Sequence, residues 1–565
     1  TYEAGKLYNV LPSGNRAPDN KGGAGYDQTR ADFDFDRGSN AAATRINSSG
    51  LIEKYRENLF LQSNQFDTTW TTSAASVTSG QSGYDSSSNA WLLNASSSAT
   101  ESYVRQTTSA SGVNSFSIYA KAGTADQLAL YIATSGADVY SWFDLTNGTT
   151  GSGANHINKT ITAIENGWYR ITLTGLNYDQ RVDVYVANAN GSFLSNSGDN
   201  IYIQNAQVET GLVATDYLNS TSVTAKDGVL IDLPRINYDA NGENGSLLLE
   251  PSRQQLIPQS EYIASWDLVY TTATSNDAIS PEGVKNATKI VTSQVGMDLK
   301  LTSVDVLANT TYTYTFYIKL ESGTGLQGRF YDNTNSANIE YYTYDSQLVV
   351  GEWKRVERTF TTPVGCTNIQ IWLLAASSTL VTAHYFGAML EAGSYSTSYI
   401  PNHGTSGGVT RAADSCSVTG ASDVIGQTEG VVYWEGIING FALTNCNLFG
   451  AQKSSTTSKI DFGLTDSILY AQCYNGTTSL FFETITFDFN TTIKLAFAYK
   501  AGDYALFKNG TLVAAGTNAT AIPACDRVAF HDLWGAVSSG SESASQATLF
   551  KERLSNAELA TLTTL

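Results

Sequence analysis

The sequence predicts an all-β protein of tandem β-sandwich domains with jelly-roll character. Runs such as "RVDVYV" (181–186) and "NIQIWL" (368–373) alternate apolar and polar residues at the strand period of two. Clusters of Gly, Asn, Asp and Ser separate these runs at short intervals, as sandwich domains require. With 42% hydrophobic residues, the chain has enough apolar content to build packed cores.

Short motifs occur twice in the same order, which indicates an internal duplication. "RENLFLQSNQFDTTW" (56–70) is matched by "RQQLIPQSEYIASW" (253–266), and later motifs follow in the same order. Equivalent tryptophans in diverged copies favour core packing over ligand binding. The repeat anchors that we interpret as structural are Trp70, Trp266, Trp168, Trp353, Arg170 and Arg355.

At ~150 residues per domain, 565 residues predict three or four domains. In chain order we expect an extended N-terminal segment (1–50), module 1 (51–225), a linker or short strand pair (226–246), module 2 (247–410) and a C-terminal sandwich (411–565). Within the first part, "SGNRAPDNKGGAG" (13–25) is too poor in apolar residues to pack alone. We expect it to be flexible or ordered by a partner.

The C-terminal sandwich carries its own local signals. Asn509-Gly510 in "YALFKNGTLV" (504–513) predicts a type I′ hairpin turn. Ser555 and Glu558 predict a capping box at the start of a short final helix. Together with "ATLFKERLSNAELATL" (547–562), these residues make the domain similar to the concanavalin-A-like (laminin-G-like) sandwich family.

Charge and cysteine content narrow the partners. The net charge is -19, and the sequence contains no cluster of Lys and Arg. We therefore do not expect the protein to bind nucleic acid or to adsorb to anionic membranes. No stretch is apolar for long enough to insert into a bilayer. Five cysteines without a CxxC spacing argue against a zinc site or a dense disulfide framework. We interpret them as small buried residues, with one or two bridges near the C-terminus left open.

Catalytic signatures are scarce, so we do not expect an enzyme or a cofactor. The four histidines are isolated, and no HExxH or Ser-His-Asp pattern occurs. Glycan-cleaving sandwiches need two carboxylates across a cleft, whereas Glu435 in "YWEG" is a single acid. Calcium is left open, with Asp532 in "HDLWG" as its candidate ligand.

The candidates for stacking a sugar ring are the tryptophans without a tryptophan in the other copy. They are Trp91, Trp142, Trp372, Trp434 and Trp534. The competing interpretation is core packing. Trp372 corresponds to Tyr185 in the repeat, which would suit a buried or edge aromatic.

Four longer motifs follow one another along the chain: "KLYNVLP" (6–12), "DFDFDRGSNAAATRINSSGLIE" (32–53), "LLLEPSRQQLIPQSE" (247–261) and "TRAAD" (410–414). With these motifs the chain resembles bacteriophage virion proteins of the tail-fibre, spike or minor structural type. The resemblance implies a place on the exterior of a capsid or tail.

Three hypotheses follow from the resemblance. The first is a non-enzymatic adhesin that binds host-surface glycans and docks to other virion proteins through its N-terminal segment. The second is a purely structural protein that decorates the capsid or tail, and the third is a glycan-degrading hydrolase or lyase. A homo-oligomer is expected, and a trimer is plausible for a fibre, although no heptad repeat demands one.

Overall fold

The computed structural model describes residues 7–9, 34–37, 42–176, 178–230, 233–296, 298–440, 446–465, 468–533, 536–537 and 540–565. It confirms the predicted fold class: antiparallel sheets pack as tandem β-sandwiches, and one short helix, Asn556–Leu562, lies at the end. Two single 3₁₀ turns are Ile263–Ser265 and Asp345–Gln347. In these ranges, no helix is long and apolar enough to span a membrane.

Module 1 consists of two six-stranded sheets. The front sheet has the spatial order Thr149–Ala154, Val139–Asp144, Gln127–Thr134, Tyr178–Ala187, Tyr103–Thr107 and Thr71–Ser73. The back sheet has the order His156–Ala163, Trp168–Gly175, Asn114–Ala122, Asn200–Thr210, Ala90–Ala95 and Ala75–Gln81. Successive side chains of a strand point to opposite faces of its sheet, so each sheet has one apolar face that packs against the other sheet. Phe60, Trp70 and Leu128 lie in the core between the two sheets.

Module 2 consists of two five-stranded sheets. Its front sheet has the order Ala337–Thr343, Gln327–Asp332, Asn368–Ala376, Asp298–Asp305 and Asp267–Val269. Its back sheet has the order Trp353–Thr361, Thr311–Ser322, Thr382–Ala392, Ala287–Thr292 and Thr271–Ala278. This is the strand order of module 1 without counterparts of its outermost strands Thr149–Ala154 and His156–Ala163.

The tryptophan anchors occupy equivalent places in the two modules. Trp168 lies opposite Lys121 on the neighbouring strand, and Trp353 lies opposite Lys319. Trp168 is fully buried, whereas Trp353 is half-buried. The two modules therefore share registers as well as strand order.

The opening motif of each copy also repeats its contacts. The indole N–H of Trp70 donates to the carbonyl of Gln62 at 3.1 Å, and that of Trp266 donates to Gln259 at 3.2 Å. Both rings are at least 94% buried, with 6% and 4% of their surface exposed. The motif therefore forms the edge and core of each module.

The arginine anchors fix one loop in each module. Arg355 donates to the main-chain carbonyl of Thr397 at 2.8 Å, and Arg170 makes the same contact with Thr215. In module 2 the Glu391 carboxylate also accepts from the backbone and hydroxyl of Thr397, each at 2.7 Å. These contacts are structural, as predicted.

The C-terminal sandwich has one larger and one smaller sheet. The larger has the order Arg235–Asn237, Ser246–Leu249, Ser541–Phe550, Glu429–Gly440, Thr492–Lys500, Tyr504–Lys508 and Thr511–Gly516, and Leu7–Asn9 also pairs with Ser541–Phe550. The smaller has the order Asp34–Asp36, Ser415–Thr419, Arg527–Phe530, Cys446–Gln452, Lys459–Thr465, Ile468–Tyr474 and Ser479–Ile485.

Both local predictions for this domain are confirmed. Asn509 and Gly510 have φ values of 48° and 81°, as a type I′ turn requires. The Ser555 hydroxyl accepts from the backbone of Glu558, whose carboxylate accepts from the backbone of Ser555. The buried side chain of Leu559 packs the helix against the larger sheet.

Short two-stranded ribbons also occur among the described residues, both within and between the sandwiches. They pair Thr44–Ile46 with Ile52–Lys54, Arg56–Asn58 with Ala225–Asp227, Thr100–Glu101 with Leu194–Ser195, Arg253–Gln255 with Val409–Arg411, and Asp532–Leu533 with Ala536–Val537.

The sheets cross the predicted domain boundaries. Arg235–Asn237 comes from the predicted linker and Ser246–Leu249 from the predicted start of module 2, yet both belong to the C-terminal sandwich. The reason is apolar burial, because Leu249 lies in the core of that sandwich. Leu7–Asn9 and Asp34–Asp36 also add strands there, so these parts of the N-terminal segment bind their own chain. The stretch 13–25 lies outside the described residues.

The ribbon Thr44–Ile46/Ile52–Lys54 likewise packs on module 2 rather than on module 1. The backbone of Ile52 donates to the carbonyl of Pro281 at 2.9 Å, and its side chain is buried beside Phe386 and Met389. The hairpin Arg235–Asn237/Ser246–Leu249 contacts the domain after it in a different way, because it forms two strands of the larger sheet of the C-terminal sandwich. Each copy therefore begins with a hairpin that packs on the following domain.

Residues from the distinctive motifs converge on a buried ion-pair network. The Glu250 carboxylate lies 2.7 Å from Arg235 and 2.8 Å from Arg411. Asp414 lies 3.3 Å from Arg37 and also pairs with Arg235. Burial raises the pKa of Glu250, but Arg411 and Arg235 outweigh burial and lower it to about 2. The network joins the N-terminal segment, the predicted linker, the start of module 2 and the start of the predicted C-terminal sandwich.

Candidate functional site

The outer face of the module 2 front sheet carries a row of functional side chains, one from each strand. Asp267 lies opposite Lys300, Lys300 lies opposite Trp372, Trp372 lies opposite Arg329, and Arg329 lies opposite Tyr341. The inner face of the same sheet supplies the module core. We call this set of five residues the aromatic–cationic row.

Trp372 stands at the centre of the row between two cations. The Lys300 ammonium lies 4.6 Å from the centroid of the Trp372 ring, and the Arg329 guanidinium carbon lies 4.5 Å from it. These cations come from the two strands that flank the tryptophan strand. The indole N–H donates to the Gln370 side-chain oxygen at 2.8 Å. Trp372 therefore holds cations over its ring and is not an open platform for a sugar.

Of the two cations in the row, Arg329 is the one whose charge is less compensated by carboxylates. Its guanidinium carbon also lies 4.6 Å from the ring centroid of Tyr331 and 5.2 Å from that of Tyr341. Among the described residues, no carboxylate forms a salt bridge with Arg329, and its buried Nε has no hydrogen-bond partner. Lys300, by contrast, pairs with Asp267 at 3.5 Å.

The row combines an anion-binding group with an accessible ring. Tyr341 is 52% exposed and lies beside the guanidinium of Arg329. A guanidinium held flat by aromatic rings keeps its N–H groups available for a carboxylate or a sulfate. Burial raises the pKa of the neighbouring Asp298, and Lys300 and Arg329 oppose this increase. Lys300 and Arg329 thus favour a negative charge close to them.

Module 1 covers the corresponding face with a loop. Tyr185 stands at the position of Trp372, and the Phe193 ring lies 4.8 Å from Tyr185 and 4.6 Å from Trp142. The indole N–H of Trp142 donates to the carbonyl of Ser192 at 2.7 Å, which fixes the loop. Residues 188–199 form this connection, whereas the equivalent connection in module 2 is only 377–381. The additional residues bury the aromatic face of module 1.

Trp91 lies at a separate cleft in module 1 with a volume of about 290 Å³. The side chains of Asn64, Asn89 and Asn219 contribute to the lining. The Trp91 ring is 7% exposed, and its N–H donates to the carbonyl of Asn64 at 2.9 Å. Only the edge of the ring is available to a ligand in this cleft.

The remaining candidates fall elsewhere. Trp434 is fully buried in the core of the C-terminal sandwich, so the prediction that it could contact a ligand is wrong. Its strand pairs with neighbours on both sides, and alternation directs the indole inward. Glu435 pairs with Lys494 at 3.5 Å. Trp534 lies outside the described residues, and so does the side chain of Asp532 in the strand Asp532–Leu533.

The sequence interpretation found Trp372 but missed its partners Arg329, Lys300 and Tyr341. A signal existed in "QGRFYD" (327–332), where the strand period places Arg329 and Tyr331 on the same face. Lys300 and Arg329 are distant from Trp372 in sequence, and only the pairing of their strands places them beside its ring.

No protein-family model and no curated protein matches the chain. Among solved structures, the chain is similar to a botulinum neurotoxin type C structure concerned with two ganglioside molecules, with 12% identity over 27% of this chain and 39% of the toxin chain, and a TM-score of 0.23. It is also similar to the CBM40 domain of Ruminococcus gnavus IT-sialidase bound to α2,3-sialyllactose, with 16% identity over 25% of this chain and 84% of that chain, and a TM-score of 0.22. A third is the botulinum neurotoxin serotype G binding domain, with 9% identity over 26% of this chain and 40% of that chain, and a TM-score of 0.23. The chain spans less than half of either toxin structure, and TM-scores this low carry no weight for fold or function.

Proposed function

We propose that the chain is a non-catalytic glycan-binding protein and that the aromatic–cationic row of module 2 binds an acidic glycan. The observation that carries the proposal is Arg329, which is held by three aromatic rings without a carboxylate partner among the described residues. A carboxylate or sulfate of the glycan would pair with this guanidinium, and the exposed ring of Tyr341 would pack against a sugar face.

The proposal extends to a virion adhesin, which rests on the sequence motifs. The chain resembles bacteriophage fibre, spike and minor structural proteins in four motifs between residues 6 and 414. An exterior virion protein with an acidic-glycan site would attach the particle to the surface of its host. The proposed role requires binding without turnover, in agreement with the ion-paired single acid Glu435.

The test is binding of the full chain to acidic polysaccharides and to the same polysaccharides after carboxyl reduction. We expect binding to the acidic forms and a loss of roughly tenfold or more on reduction, because a charge-assisted hydrogen bond contributes about 1.5–3 kcal/mol. Arg329→Ala and Trp372→Ala should each weaken binding. Trp353→Ala is the matched control, since Trp353 is a half-buried tryptophan on the back sheet of the same module.

Equal binding to charged and reduced glycans would contradict the acidic ligand. Equal losses in Trp372→Ala and Trp353→Ala would contradict the front-sheet site. Binding by whole host cells but not by their extracted glycans would point to a protein receptor instead.

A further inference from the structure

A compact cluster of three ligand-type side chains lies inside the C-terminal sandwich. Sγ of Cys446 lies 3.7 Å from Nδ1 of His531, and the same nitrogen lies 3.9 Å from Oε1 of Glu542. One sulfur, one nitrogen and one oxygen atom of these residues all lie within 4.8 Å of one another. We propose that Cys446, His531 and Glu542 bind a zinc-class divalent transition-metal ion as a structural site.

Two of the three residues, Glu542 and His531, have buried polar atoms without a hydrogen-bond partner among the described residues. Glu542 is 1% exposed, and neither of its carboxylate oxygens has a hydrogen-bond partner among the described residues. Nε2 of His531, which is equally buried, also has no partner there. Buried polar groups in folded proteins are nearly always bonded, so the unbonded Glu542 carboxylate beside His531 Nδ1 requires an explanation. A metal ion supplies the missing interaction for the carboxylate.

The spacing suits a tetrahedral zinc ion. Zinc binds Cys sulfur at about 2.3 Å, and His nitrogen and carboxylate oxygen at about 2.0–2.2 Å, so tetrahedral ligand atoms lie roughly 3.4–3.6 Å apart. Two of the observed separations, 3.7 and 3.9 Å, exceed this range by a few tenths of an ångström, and the third lies within 4.8 Å. Side-chain rotation can supply such a shift. The three residues leave the fourth position to a water molecule.

The chemistry of the three ligands selects the metal. Thiolate and imidazole suit zinc and similar borderline-soft ions, whereas calcium requires a shell of oxygen atoms. A divalent ion with one thiolate and one carboxylate forms a site without net charge, which suits the buried interior of a sandwich. On binding, the thiol proton of Cys446 leaves to solvent.

The site would join separate parts of the chain. Cys446 and His531 lie at the ends of neighbouring strands, since the backbone of His531 donates to the carbonyl of Asn447 at 2.8 Å. Glu542 lies on the last strand, opposite Leu249 of the strand contributed from the start of module 2. The ion would therefore fasten the sheet position where module 2 enters the C-terminal sandwich.

The test uses the full chain, expressed with zinc and purified without added metal. We expect a stoichiometric amount of zinc by mass spectrometry, and loss of that zinc in Cys446→Ser and Glu542→Gln. Cys473→Ser is the matched control, because Cys473 is also buried in the core of this sandwich but lies outside the cluster. The control should keep its zinc.

A second measurement works on the unaltered chain. After removal of zinc, Co²⁺ should produce the near-ultraviolet charge-transfer band of a thiolate–cobalt bond, and zinc should abolish the band. Zinc should also raise the Tm by on the order of 5 °C at a hundredfold excess over Kd. A zinc-free unaltered chain that shows neither the band nor the rise in Tm would overturn the proposal, even if the variants fail to fold.

Discussion

The Glu250 carboxylate accepts a hydrogen bond from the Arg235 guanidinium across 2.7 Å, and the two side chains are 2% and 0% exposed. The first copy contains the corresponding pair, Arg45 and Glu53, at 2.6 Å, but there the side chains are 24% and 28% exposed. One ion pair therefore occurs twice along the chain in two dielectric environments.

We predict unequal costs for removing the two pairs. Arg235→Ala should lower the free energy of unfolding by about 3–5 kcal/mol, because it leaves a buried carboxylate with less compensation. Arg45→Ala should cost less than about 1 kcal/mol, since solvent screens the exposed pair. Chemical denaturation of the full chain measures both. Similar losses for the two variants would show that burial does not set the cost.

The same network predicts a loss of stability in acid. Glu250 has a pKa of about 2 in the folded chain, below its ordinary 4.5. Its contribution is therefore complete above about pH 4.5 and is lost as the pH falls toward 2. Glu250→Gln should be less stable at pH 7 and should show a flatter decline across this interval. If the stability of Glu250→Gln declined between pH 4.5 and 2 as steeply as that of the unaltered chain, Glu250 would not be the cause of the decline.

Phe193 should control access to the aromatic face of module 1. Phe193→Ala removes the ring over Tyr185 and Trp142, so we expect stronger quenching of tryptophan fluorescence by iodide and a loss of on the order of 1–2 kcal/mol in stability. Leu194→Ala is the control, because the adjacent Leu194 is 42% exposed. Equal quenching in both variants would mean that the loop as a whole, rather than its phenylalanine, covers the face.

Trp434 should matter for stability and not for binding. Its indole N–H is buried without a hydrogen-bond partner in the described part of the chain, so Trp434→Phe removes an unpaired donor and leaves a small cavity. We expect a cost of roughly 1–2 kcal/mol by thermal unfolding and unchanged glycan affinity. Weaker glycan binding by a folded Trp434→Phe chain would contradict this prediction and would indicate that Trp434 contributes to ligand binding.

Local patterns predicted much of the fold. Strand alternation, the turn at Asn509-Gly510 and the cap at Ser555 each depend on residues close together in sequence. The prediction that the cysteines are small buried residues is also confirmed, because all five are buried.

Features that depend on distant pairing were missed. The motifs around Arg37 and Asp414 supported a resemblance, but nothing local shows that these side chains meet across 377 positions of sequence. The hairpin beginning Arg235–Asn237 looked like a linker because its apolar partner surface belongs to another domain. In the candidate site, Arg329 was missed for the same reason, since only strand pairing places it beside Trp372.

The pairing of Leu7–Asn9 with Ser541–Phe550 has a consequence for protein synthesis. A ribosome adds about 5–20 residues per second, so the first of these strands leaves the tunnel roughly 30–100 s before the last one exists. Modules 1 and 2 can form their own sheets during that interval, whereas Leu7–Asn9 does not yet have its partner strand. Completion of the C-terminal sandwich therefore waits until Ser541–Phe550 has been translated, and a chain terminated before that strand would leave Leu7–Asn9 without its partner strand.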